Sequence, residues 1–308
     1  MDKYLITGGA GFIGSHIAES ICSKGHKVVV VDNLRTGFTK NIAHLDVDFV
    51  EGDIRDKELM LDLASDAKGI FHLAALVSVP ESLQKISECL QINVEGTLNV
   101  LNAARETSGC KVILSSSAAI YGNNPQLPKV EHMLPEPLTP YAVTKLDGEF
   151  YLRMYSDQWN VPTASLRYFN VFGPRQNPNS AYAAAVPIFI QKALMNEAIT
   201  IYGDGQQTRD FIYVKDVVGA NLFALGKGTE VYNVALGHST TILELAERII
   251  SLTGSKSQII FKPERAGDVK HSQADVAKFQ SLGFVPKYDL NSALVETIAF
   301  YEQELLKK

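Results

Sequence analysis

The segment TPYAVTK (139–145) contains a tyrosine and a lysine whose spacing could support acid–base chemistry. Tyr141 and Lys145 are four residues apart, so a helix would place both side chains on one face. A free tyrosine, with a pKa of about 10, is a poor base at neutral pH, but a nearby ammonium favours the phenolate. Taken alone, the pair is better explained as a half-buried tyrosine beside a lysine that reaches solvent. A catalytic function therefore depends on the surrounding elements.

A run of hydroxyl groups ends the predicted strand KVILSSS (111–117). In a doubly wound parallel sheet, the carboxyl ends of the strands face the ligand crevice. The helix that begins near Tyr141 should start at the same crevice, so we expect Ser117 to lie near Tyr141 and Lys145. A serine hydroxyl there can hydrogen-bond the reacting oxygen and order a proton transfer.

The glycine-rich segment TGGAGFIG (7–14) follows the first predicted strand and opens the first predicted helix. Two glycine spacings fit it, one through Gly8, Gly11 and Gly14 and the other through Gly9, Gly11 and Gly14. In either spacing the glycines permit a tight turn, and the free N–H groups of the helix N-terminus can bind a pyrophosphate. The segment therefore predicts a dinucleotide site.

Two aspartates end the second and third predicted strands. Asp32 can accept the ribose hydroxyls of adenosine and would repel a 2′-phosphate, which favours NAD over NADP. Arg35 is close enough to leave NADP open. Asp53 could contact the adenine, or it could cap the helix that starts near Asp56.

Strands are predicted where β-branched and apolar residues run almost continuously, which is typical of parallel strands buried on both faces. These runs cover residues 3–7, 27–32, 47–53, 69–75, 111–117 and 163–173. Helical patterns lie between them, and this alternation predicts an α/β fold with a doubly wound parallel sheet of the Rossmann type. We expect a first domain over 1–173 and a smaller α/β lobe over 174–308, with about 211–236 returning to the first domain.

Composition excludes several classes of protein. The net charge is −5, and the absence of a Lys/Arg-rich block argues against nucleic acid and anionic membranes as partners. Three widely spaced cysteines fit a reducing cytosol better than a disulfide framework, and the seven histidines show no metal-ligand spacing. The first residues lack the features of a signal peptide, and the apolar stretch 181–190 is too short to span a bilayer. We therefore expect a soluble, cytoplasmic protein without a metal.

Many ordered motifs together resemble the extended short-chain dehydrogenase/reductases, and within them the UDP-hexose 4-epimerases. The resemblance runs nearly from end to end of the chain. Its motifs are TGGAGFIGSH, Asp32, GDIRD, LAA (73–75), Asn93, SSSAAIYG (115–122), PYAVTK (140–145), RYFNVFGPRQ (167–176), YGDGQQTRDFIYVKDVV and ERAGDVKHSQAD.

The resemblance implies a reaction without net redox change. Tyr141 would act as the base, Lys145 would lower its pKa and hold the nicotinamide ribose, and Ser117 would assist. The base would take the proton of the sugar 4-hydroxyl while NAD⁺ takes the C4 hydride, and the hydride would return to the other face after the 4-keto sugar rotates. The first domain would thus bind NAD, and the C-terminal lobe would bind the nucleotide sugar.

The resemblance also implies two sets of binding residues. The cofactor would be bound by Gly8, Gly11, Phe12, Ile13, Gly14, Asp32, Asn33, Asp53, Ile54, Leu73, Ala74, Ala75, Asn93, Ser115, Tyr141, Lys145 and Tyr168. The substrate would be bound by Ser117, Tyr141, Asn170, Val186, Tyr202, Arg209, Arg265, Asp268 and Ser272. Of these, Arg209 and Arg265 would hold the diphosphate, Tyr202 the uracil and Asp268 the uridine ribose.

Ser272 stands where a tyrosine would block an acetamido group, so the resemblance predicts that N-acetylated hexoses are accepted as well. The chain departs from the family in having Ala266 before Gly267-Asp268, where proline is common. The family usually forms homodimers through two helices per subunit, here about 86–108 and 141–158.

Other functions remain alternatives. Dehydratases of the family place an Asp-Glu pair where this chain has Ala118-Ala119, and decarboxylases usually keep the glutamate. The missing carboxylates argue against both activities, because protonation of a leaving water requires an acid. UDP-glucuronate 4-epimerase stays open. A non-catalytic NAD-sensing module is disfavoured, since such proteins commonly lose the tyrosine or the lysine.

Overall fold

The computed structural model describes residues 1–178, 184–264 and 270–306. Its twelve strands are β1 Lys3–Thr7, β2 Lys27–Asp32, β3 Asp48–Glu51, β4 Ala67–His72, β5 Lys111–Ser117, β6 Thr163–Tyr168, β7 Asn170–Phe172, β8 Ile199–Tyr202, β9 Thr208–Tyr213, β10 Val231–Val234, β11 Ser239–Thr241 and β12 Ile259–Lys262 in the described residues. The helices of the same residues are α1 Phe12–Cys22, α2 Lys57–Ala64, α3 Val79–Gln84, α4 Ile86–Leu90, α5 Gly96–Glu106, α6 Pro140–Trp159, α7 Ala185–Leu194, α8 Val214–Lys227, α9 Ile242–Thr253, α10 Ala277–Ser281 and α11 Leu290–Leu306.

A seven-stranded parallel sheet organises the larger part of the molecule, in the order β10-β6-β5-β4-β1-β2-β3. The strand order reverses between β1 and β4, which is the arrangement that opens a ligand crevice in such sheets. Buried apolar side chains cover both faces of the sheet, in one cluster that includes α1 and α8 and another that includes α2 and α5. The predicted α/β fold is confirmed.

The smaller part of the molecule contains two further sheets. One has the order β11-β9-β7, and the other pairs β8 with β12 in parallel. Helices α7, α9 and α11 pack around a separate core that includes Phe172, Phe189 and Leu245. Strand β10 and helix α8 lie with the large sheet although they come late in the chain. The boundary between 173 and 174 stays a prediction.

The predicted strand over 163–173 is divided in the structure. Its first part, β6, lies in the large sheet, whereas β7 pairs with β9 in the smaller part. The chain leaves the large sheet at Phe169, whose N–H donates to the carbonyl of Val234. The predicted strand 69–75 also shifts, because β4 ends at His72 and the LAA segment forms the loop after it.

Helix α6 carries Tyr141 and Lys145, and its start is defined by local sequence. Thr139 accepts a hydrogen bond from the backbone N–H of Ala142, and Pro140 occupies the first turn, where its missing N–H is tolerated. A similar cap begins α9, where Thr241 accepts from the N–H of Glu244. In the described residues, no helix is both long enough and apolar enough to cross a membrane.

Candidate active-site cleft

A cleft of about 940 Å³ runs along the carboxyl ends of the large sheet. The loops after β1, β2, β3 and β4 line one end of it, and the ends of β5 and β6 line its middle. The far end is formed by Arg209, His271 and Ser272 from the smaller part. The cleft therefore joins the predicted dinucleotide site to the predicted sugar site.

The glycine turn leaves no room for larger side chains. Gly8 has a φ of 69°, and a Cβ built on it would lie 2.8 Å from the backbone nitrogen of Ala74. A Cβ on Gly14 would lie 2.3 Å from the carbonyl oxygen of Gly8. Gly8, Gly11 and Gly14 all line the cleft, so the backbone itself forms its floor at the N-terminus of α1.

Asp32 lies at the same end of the cleft, fixed by two backbone donors. Its carboxylate accepts from the N–H of Ala10 at 3.0 Å and from that of Leu34 at 2.8 Å. Burial raises the pKa of Asp32, and these backbone N–H groups oppose the shift. The fixed carboxylate still faces the cleft, where it can accept ribose hydroxyls.

Asp53 also lines the cleft but does not cap the next helix. Its carboxylate accepts from Arg55 at 2.8 Å and from Asn33 at 3.1 Å. The hydrogen bond from Arg55, more than the other contacts, lowers the pKa of Asp53 to about 2. Asp56 caps α2 by accepting from the N–H of Leu59, so the alternative of a cap by Asp53 is wrong.

Arg35, which left NADP open in the sequence, is bound to two carboxylates. Its guanidinium donates to Glu81 at 2.7 Å and to Glu88 at 2.6 Å. Both glutamates lie beside the adenosine end of the cleft, on α3 and α4. An arginine already held in this way is a weaker partner for a 2′-phosphate.

Tyr141 and Ser117 line the middle of the cleft and Lys145 lies beside Tyr141 without lining it, so the three residues come together as the sequence predicted. The Ser117 hydroxyl lies close enough to the Tyr141 phenol to lower the pKa of the phenol. The ammonium of Lys145 donates to the carbonyl of Ser115 at 2.8 Å and lies 5.8 Å from the centroid of the Tyr141 ring. Lys145 is buried behind the cleft wall, and this burial lowers its pKa to about 8.

The pKa of Tyr141 shifts in the direction opposite to the one that base chemistry needs. Burial raises the pKa of the phenol, and the hydrogen bond with Ser117 opposes this. In the chain alone, the ammonium of Lys145 does not reverse the shift. A lowered pKa for Tyr141 stays a prediction for the complex with bound ligands.

Most other residues predicted to contact the cofactor line the cleft. They are Phe12, Ile13, Asn33, Ile54, Leu73, Ala74, Ala75, Ser115 and Tyr168. Asn93 is different, because its side chain binds the protein itself. It accepts from the N–H of Leu76 at 2.7 Å and donates to Thr144 at 2.9 Å, so it joins the loop before α3 to α6 from a buried position.

The residues predicted to bind the substrate do not all line the cleft. Asn170, Arg209 and Ser272 line the cleft. Tyr202 lines a separate cavity of about 400 Å³, which shares His271 with the cleft. Val186 is 1% exposed and packs in the core of the smaller part, so its contact with the substrate stays a prediction. Arg265 and Asp268 lie outside the described residues.

Two lining residues, Gln176 and Lys129, were given no function from the sequence, although Gln176 ends the motif RYFNVFGPRQ. Gln176 lines the cleft, and within the described residues its buried Oε1 has no hydrogen-bond partner. Lys129 lines the cleft from a loop between Gly122 and Thr139. Neither residue belongs to a spaced pattern of chemical groups, which is why only the structure reveals them.

The described residues fit a dinucleotide. The glycine turn forms a cradle that any Cβ at Gly8 or Gly14 would fill, and Asp32 provides an acceptor for ribose at the right distance along the sheet edge. The unsatisfied oxygen of Gln176 provides a further acceptor for a ligand donor. No group of His, Cys, Asp or Glu residues in the described ranges could hold a metal ion.

Comparison with known proteins agrees with this geometry. The UDP-glucose 4-epimerase of Mycolicibacterium smegmatis is 36% identical over 311 residues, which cover 98% of this chain and 99% of that protein. A UDP-N-acetylglucosamine 4-epimerase from Methanobrevibacter ruminantium, solved with UDP-N-acetylmuramic acid, has a TM-score of 0.95 at 39% identity, covering 98% of this chain and 99% of its own. The Thermotoga maritima UDP-glucose 4-epimerase, solved with UDP-glucose, has a TM-score of 0.94 at 38% identity, with the same coverage.

Proteins with another activity match almost as well. A UDP-N-acetyl-α-D-glucosaminuronate decarboxylase of Bacillus cytotoxicus is 34% identical over 317 residues, covering 98% of both chains. Residues 4–235 match the NAD dependent epimerase/dehydratase family, and a Thermus thermophilus UDP-glucose 4-epimerase solved with NAD has a TM-score of 0.90 at 34% identity over 97% of this chain and 99% of its own. With its glycine cradle, its Asp32 acceptor and these matches over most of its length, the chain belongs to the NAD-dependent epimerase/dehydratase family of the extended short-chain dehydrogenase/reductases.

Proposed function

We propose that this protein catalyses the NAD-dependent 4-epimerisation of UDP-hexoses. The observation that carries the proposal is the position of Tyr141, which lines the cleft together with Ser117, in the middle of a cleft that continues from Asp32 to Arg209 and Ser272. A dinucleotide on one side and a nucleotide sugar on the other would both reach this phenol. UDP-hexose 4-epimerases are among the most similar relatives, which supports the same reaction.

The chain's own residues would move and hold one proton. Tyr141 would accept the proton of the sugar 4-hydroxyl at its phenol oxygen, and Ser117 would hydrogen-bond the same oxygen. The Lys145 ammonium, held by the Ser115 carbonyl, would favour the phenolate. When bound, NAD supplies the acceptor and later the donor of the C4 hydride. Arg209 and Asn170 would hold the diphosphate while the 4-keto ring turns.

The charges of the cleft argue against elimination of water. Among the described lining residues, the carboxylates are Asp32 and Asp53, and both lie at the adenosine end. Ala118 and Ala119 line the cleft beside Ser117, where a dehydratase would need an acid. A 4,6-dehydratase is therefore the weaker alternative, and the same argument weakens a decarboxylase that uses a glutamate there.

The sugar range that we propose depends on Ser272. This small side chain lines the sugar end of the cleft, with its N–H bound to the carbonyl of Thr208. A pocket wall of this size leaves space for an acetamido group. We propose that UDP-N-acetylglucosamine and UDP-N-acetylgalactosamine are interconverted as well as UDP-glucose and UDP-galactose.

A cytoplasmic homodimer is the assembly that we propose. Exposed apolar residues follow one side of α6, where Val143, Phe150 and Met154 are 40%, 60% and 39% exposed. Ile86 and Leu90 of α4 are similarly exposed. Two such helices per subunit could bury these side chains against a second copy, and the mass from sedimentation equilibrium tests this.

The direct test is incubation of the purified protein with single UDP-sugars. UDP-glucose, UDP-N-acetylglucosamine and UDP-glucuronate are supplied separately, and the products are separated by chromatography and identified by NMR. Formation of the 4-epimer of UDP-glucose supports the proposal. Turnover of UDP-glucuronate alone, to its epimer, would instead favour the uronate epimerase, and the loss of carbon dioxide would favour a decarboxylase.

A further inference from the structure

Arg175 lies in the segment that leads out of β7, and the proposed mechanism does not use it. Its φ of 68° lies in the left-handed region that residues with a Cβ rarely adopt. Such a conformation persists only where surrounding contacts impose it, and it is found most often near functional sites. Arg175 does not line the cleft itself, but Gln176 and Asn177, which follow it, do. The conformation of Arg175 therefore determines how these two residues enter the cleft wall.

Side chains of α1 hold this segment from the cofactor side. The Arg175 guanidinium donates to the Glu19 carboxylate at 2.6 Å and to the Ser15 hydroxyl at 3.4 Å. The arginine side chain is 13% exposed, so the pair is partly shielded from solvent. The Nε2 of His16 lies 3.0 Å from the carbonyl of Pro174, which accepts its hydrogen bond. All these partners belong to the helix whose N-terminus forms the glycine cradle.

Gln176 connects the same segment to the smaller part of the molecule. Its Nε2 donates to the carbonyl of Val171 in β7 at 3.1 Å, and its backbone carbonyl accepts from the hydroxyl of Tyr301 in α11. Strand β7 pairs with β9, the strand that carries Arg209. In the proposed function this arginine holds the diphosphate of the nucleotide sugar. Residues 174–177 therefore join the cofactor helix to the sugar side of the cleft.

We propose that Arg175 is a positioning residue, which through its ion pair with Glu19 sets the distance between the bound cofactor and the hexose. This inference rests on the proposed function, because it assumes that a hydride passes between the two ligands. Reacting atoms must approach to about 3–3.5 Å, and a displacement of about 1 Å can lower a rate roughly a hundredfold. Neither residue of the pair lines the cleft. Loss of the pair should therefore slow the chemical step more than it weakens the binding of either ligand.

The experiment separates turnover from binding in Arg175→Met and Glu19→Gln. The NAD content of the purified protein, the dissociation constant of UDP-glucose on the NAD-loaded protein and kcat for UDP-glucose are measured for each variant. We expect the NAD content of wild type, a dissociation constant within about threefold of wild type and a fall in kcat of at least about tenfold. One variant from each side of the pair is used, so that a folding defect in one does not end the test.

Two further variants test whether the two side chains act as a pair. The double variant Arg175→Met, Glu19→Gln should lose about as much kcat as either single variant, because each of them already breaks the interaction. Arg175→Lys keeps a cation opposite Glu19 and should recover part of the lost kcat. Losses that multiply in the double variant would show that the two residues act independently, and this would overturn the inference.

Lys40 supplies a matched control, because its ion pair also connects the larger part of the molecule to the smaller one. It donates to Glu304 of α11 at 3.1 Å, away from residues 174–177. Lys40→Met should keep the kcat of wild type. A kcat within about threefold of wild type in both Arg175→Met and Glu19→Gln overturns the inference, as does a loss of UDP-glucose affinity as large as the loss of kcat. Failure of the proposed function would be visible separately, as absence of epimer formation by wild type.

Discussion

At the scale of single residues, Tyr141 is subject to opposing influences. Burial raises its pKa, and the Ser117 hydroxyl opposes this shift. We expect the ammonium of Lys145, 5.8 Å from the ring centroid, to favour the phenolate once the ligands are bound. To act as the base, this phenol must already have lost its own proton when it accepts the proton of the substrate hydroxyl. The phenol oxygen, rather than the ring, should therefore account for the chemistry.

Tyr141→Phe removes this oxygen and keeps the ring. We expect the variant to bind NAD and UDP-glucose with dissociation constants within about threefold of wild type and to lose at least about a hundredfold in kcat, since general base catalysis contributes on that order. Tyr151→Phe, ten residues further along the same helix and outside the cleft, is the control and should retain activity. If Tyr141→Phe keeps a tenth or more of the wild-type rate, roughly one order of magnitude, another group is the base.

Ser272→Tyr tests the substrate range. A tyrosine on this wall should fill the space for an acetamido group, and overfilling a packed site costs about 1–3 kcal/mol, roughly ten- to a hundredfold in relative kcat/KM. We expect UDP-N-acetylglucosamine turnover to fall by that factor relative to UDP-glucose turnover. Ser239→Tyr is the control. It changes a neighbouring serine whose hydroxyl donates to the Ser272 carbonyl but which does not line the cleft. An equal effect of Ser272→Tyr on both sugars would remove Ser272 as the determinant.

The sequence identified those residues of the candidate site that belong to motifs with a characteristic spacing. Gly8, Gly14 and Asp32 follow strands at characteristic distances, and the Tyr141–Lys145 spacing places both on α6. The burial of Val186 could not be read from the sequence, because a buried helix face and a pocket-lining face have the same apolar pattern. Lys129 could not be predicted, because it is an isolated loop residue. Gln176 ends a recognised motif, but its place in the cleft depends on contacts made by distant segments.

At the scale of elements, a buried ion pair fixes α6 against the strands beneath it. Glu149 of α6 binds Arg167 of β6 at 2.7 Å, and both side chains are 4% exposed. The Ser116 hydroxyl of β5 donates to the same carboxylate at 2.5 Å. The Glu149 carboxylate thus connects the helix that carries Tyr141 both to β6, through Arg167, and to the strand that carries Ser117, through Ser116, which should keep the phenol and the serine aligned.

Glu149→Gln should destabilise the protein, because it leaves the Arg167 charge buried without its counter-ion. Breaking such a pair typically costs about 3–5 kcal/mol in the free energy of unfolding. Glu244→Gln makes the same change in the exposed pair with Arg248, where the loss should stay below about 0.5 kcal/mol. Urea titrations of both variants provide the measurement. Equal losses in the free energy of unfolding would show that the Glu149–Arg167 pair stabilises the protein no more than a surface ion pair does.

Element boundaries were predicted where sequence signals are local, and missed where they are not. The start of α6 at Pro140 follows from the Thr139 cap and the proline. The division of 163–173 into β6 and β7 depends on which distant strand each part meets, β10 and β5 for one and β9 for the other. A single apolar run in the sequence does not indicate which strand each of its parts will pair with.

At the scale of the whole molecule, stability should depend on pH through a buried histidine. His72 at the end of β4 is bonded to Thr7 of β1 at 2.7 Å and to Thr97 of α5 at 2.9 Å. Burial lowers the pKa of His72 from 6.5 to about 3. Between these values the unfolded chain binds a proton that the folded chain does not, so stability is lost as the pH falls below about 6.5.

His72→Gln removes this contribution. The free energy of unfolding of wild type, minus that of the variant, should therefore shrink by up to about 1.4 kcal/mol for each pH unit as the pH falls from about 6 to about 4. Urea titrations at several pH values give this difference. His132 is exposed, and His132→Gln should leave the pH dependence of wild type unchanged. A difference between wild type and His72→Gln that stays constant with pH would contradict the assignment.

The central claim is that the protein inverts C4 of a UDP-hexose without net redox change, and the fate of a C4 isotope label tests it most directly. UDP-glucose deuterated at C4 is incubated with wild-type protein in ordinary water, and the product is analysed by NMR and mass spectrometry. We predict UDP-galactose that keeps its deuterium at C4, because the hydride is returned to the same carbon without exchange with solvent. Absence of UDP-galactose, or UDP-galactose in which solvent hydrogen has replaced the deuterium, would contradict the account.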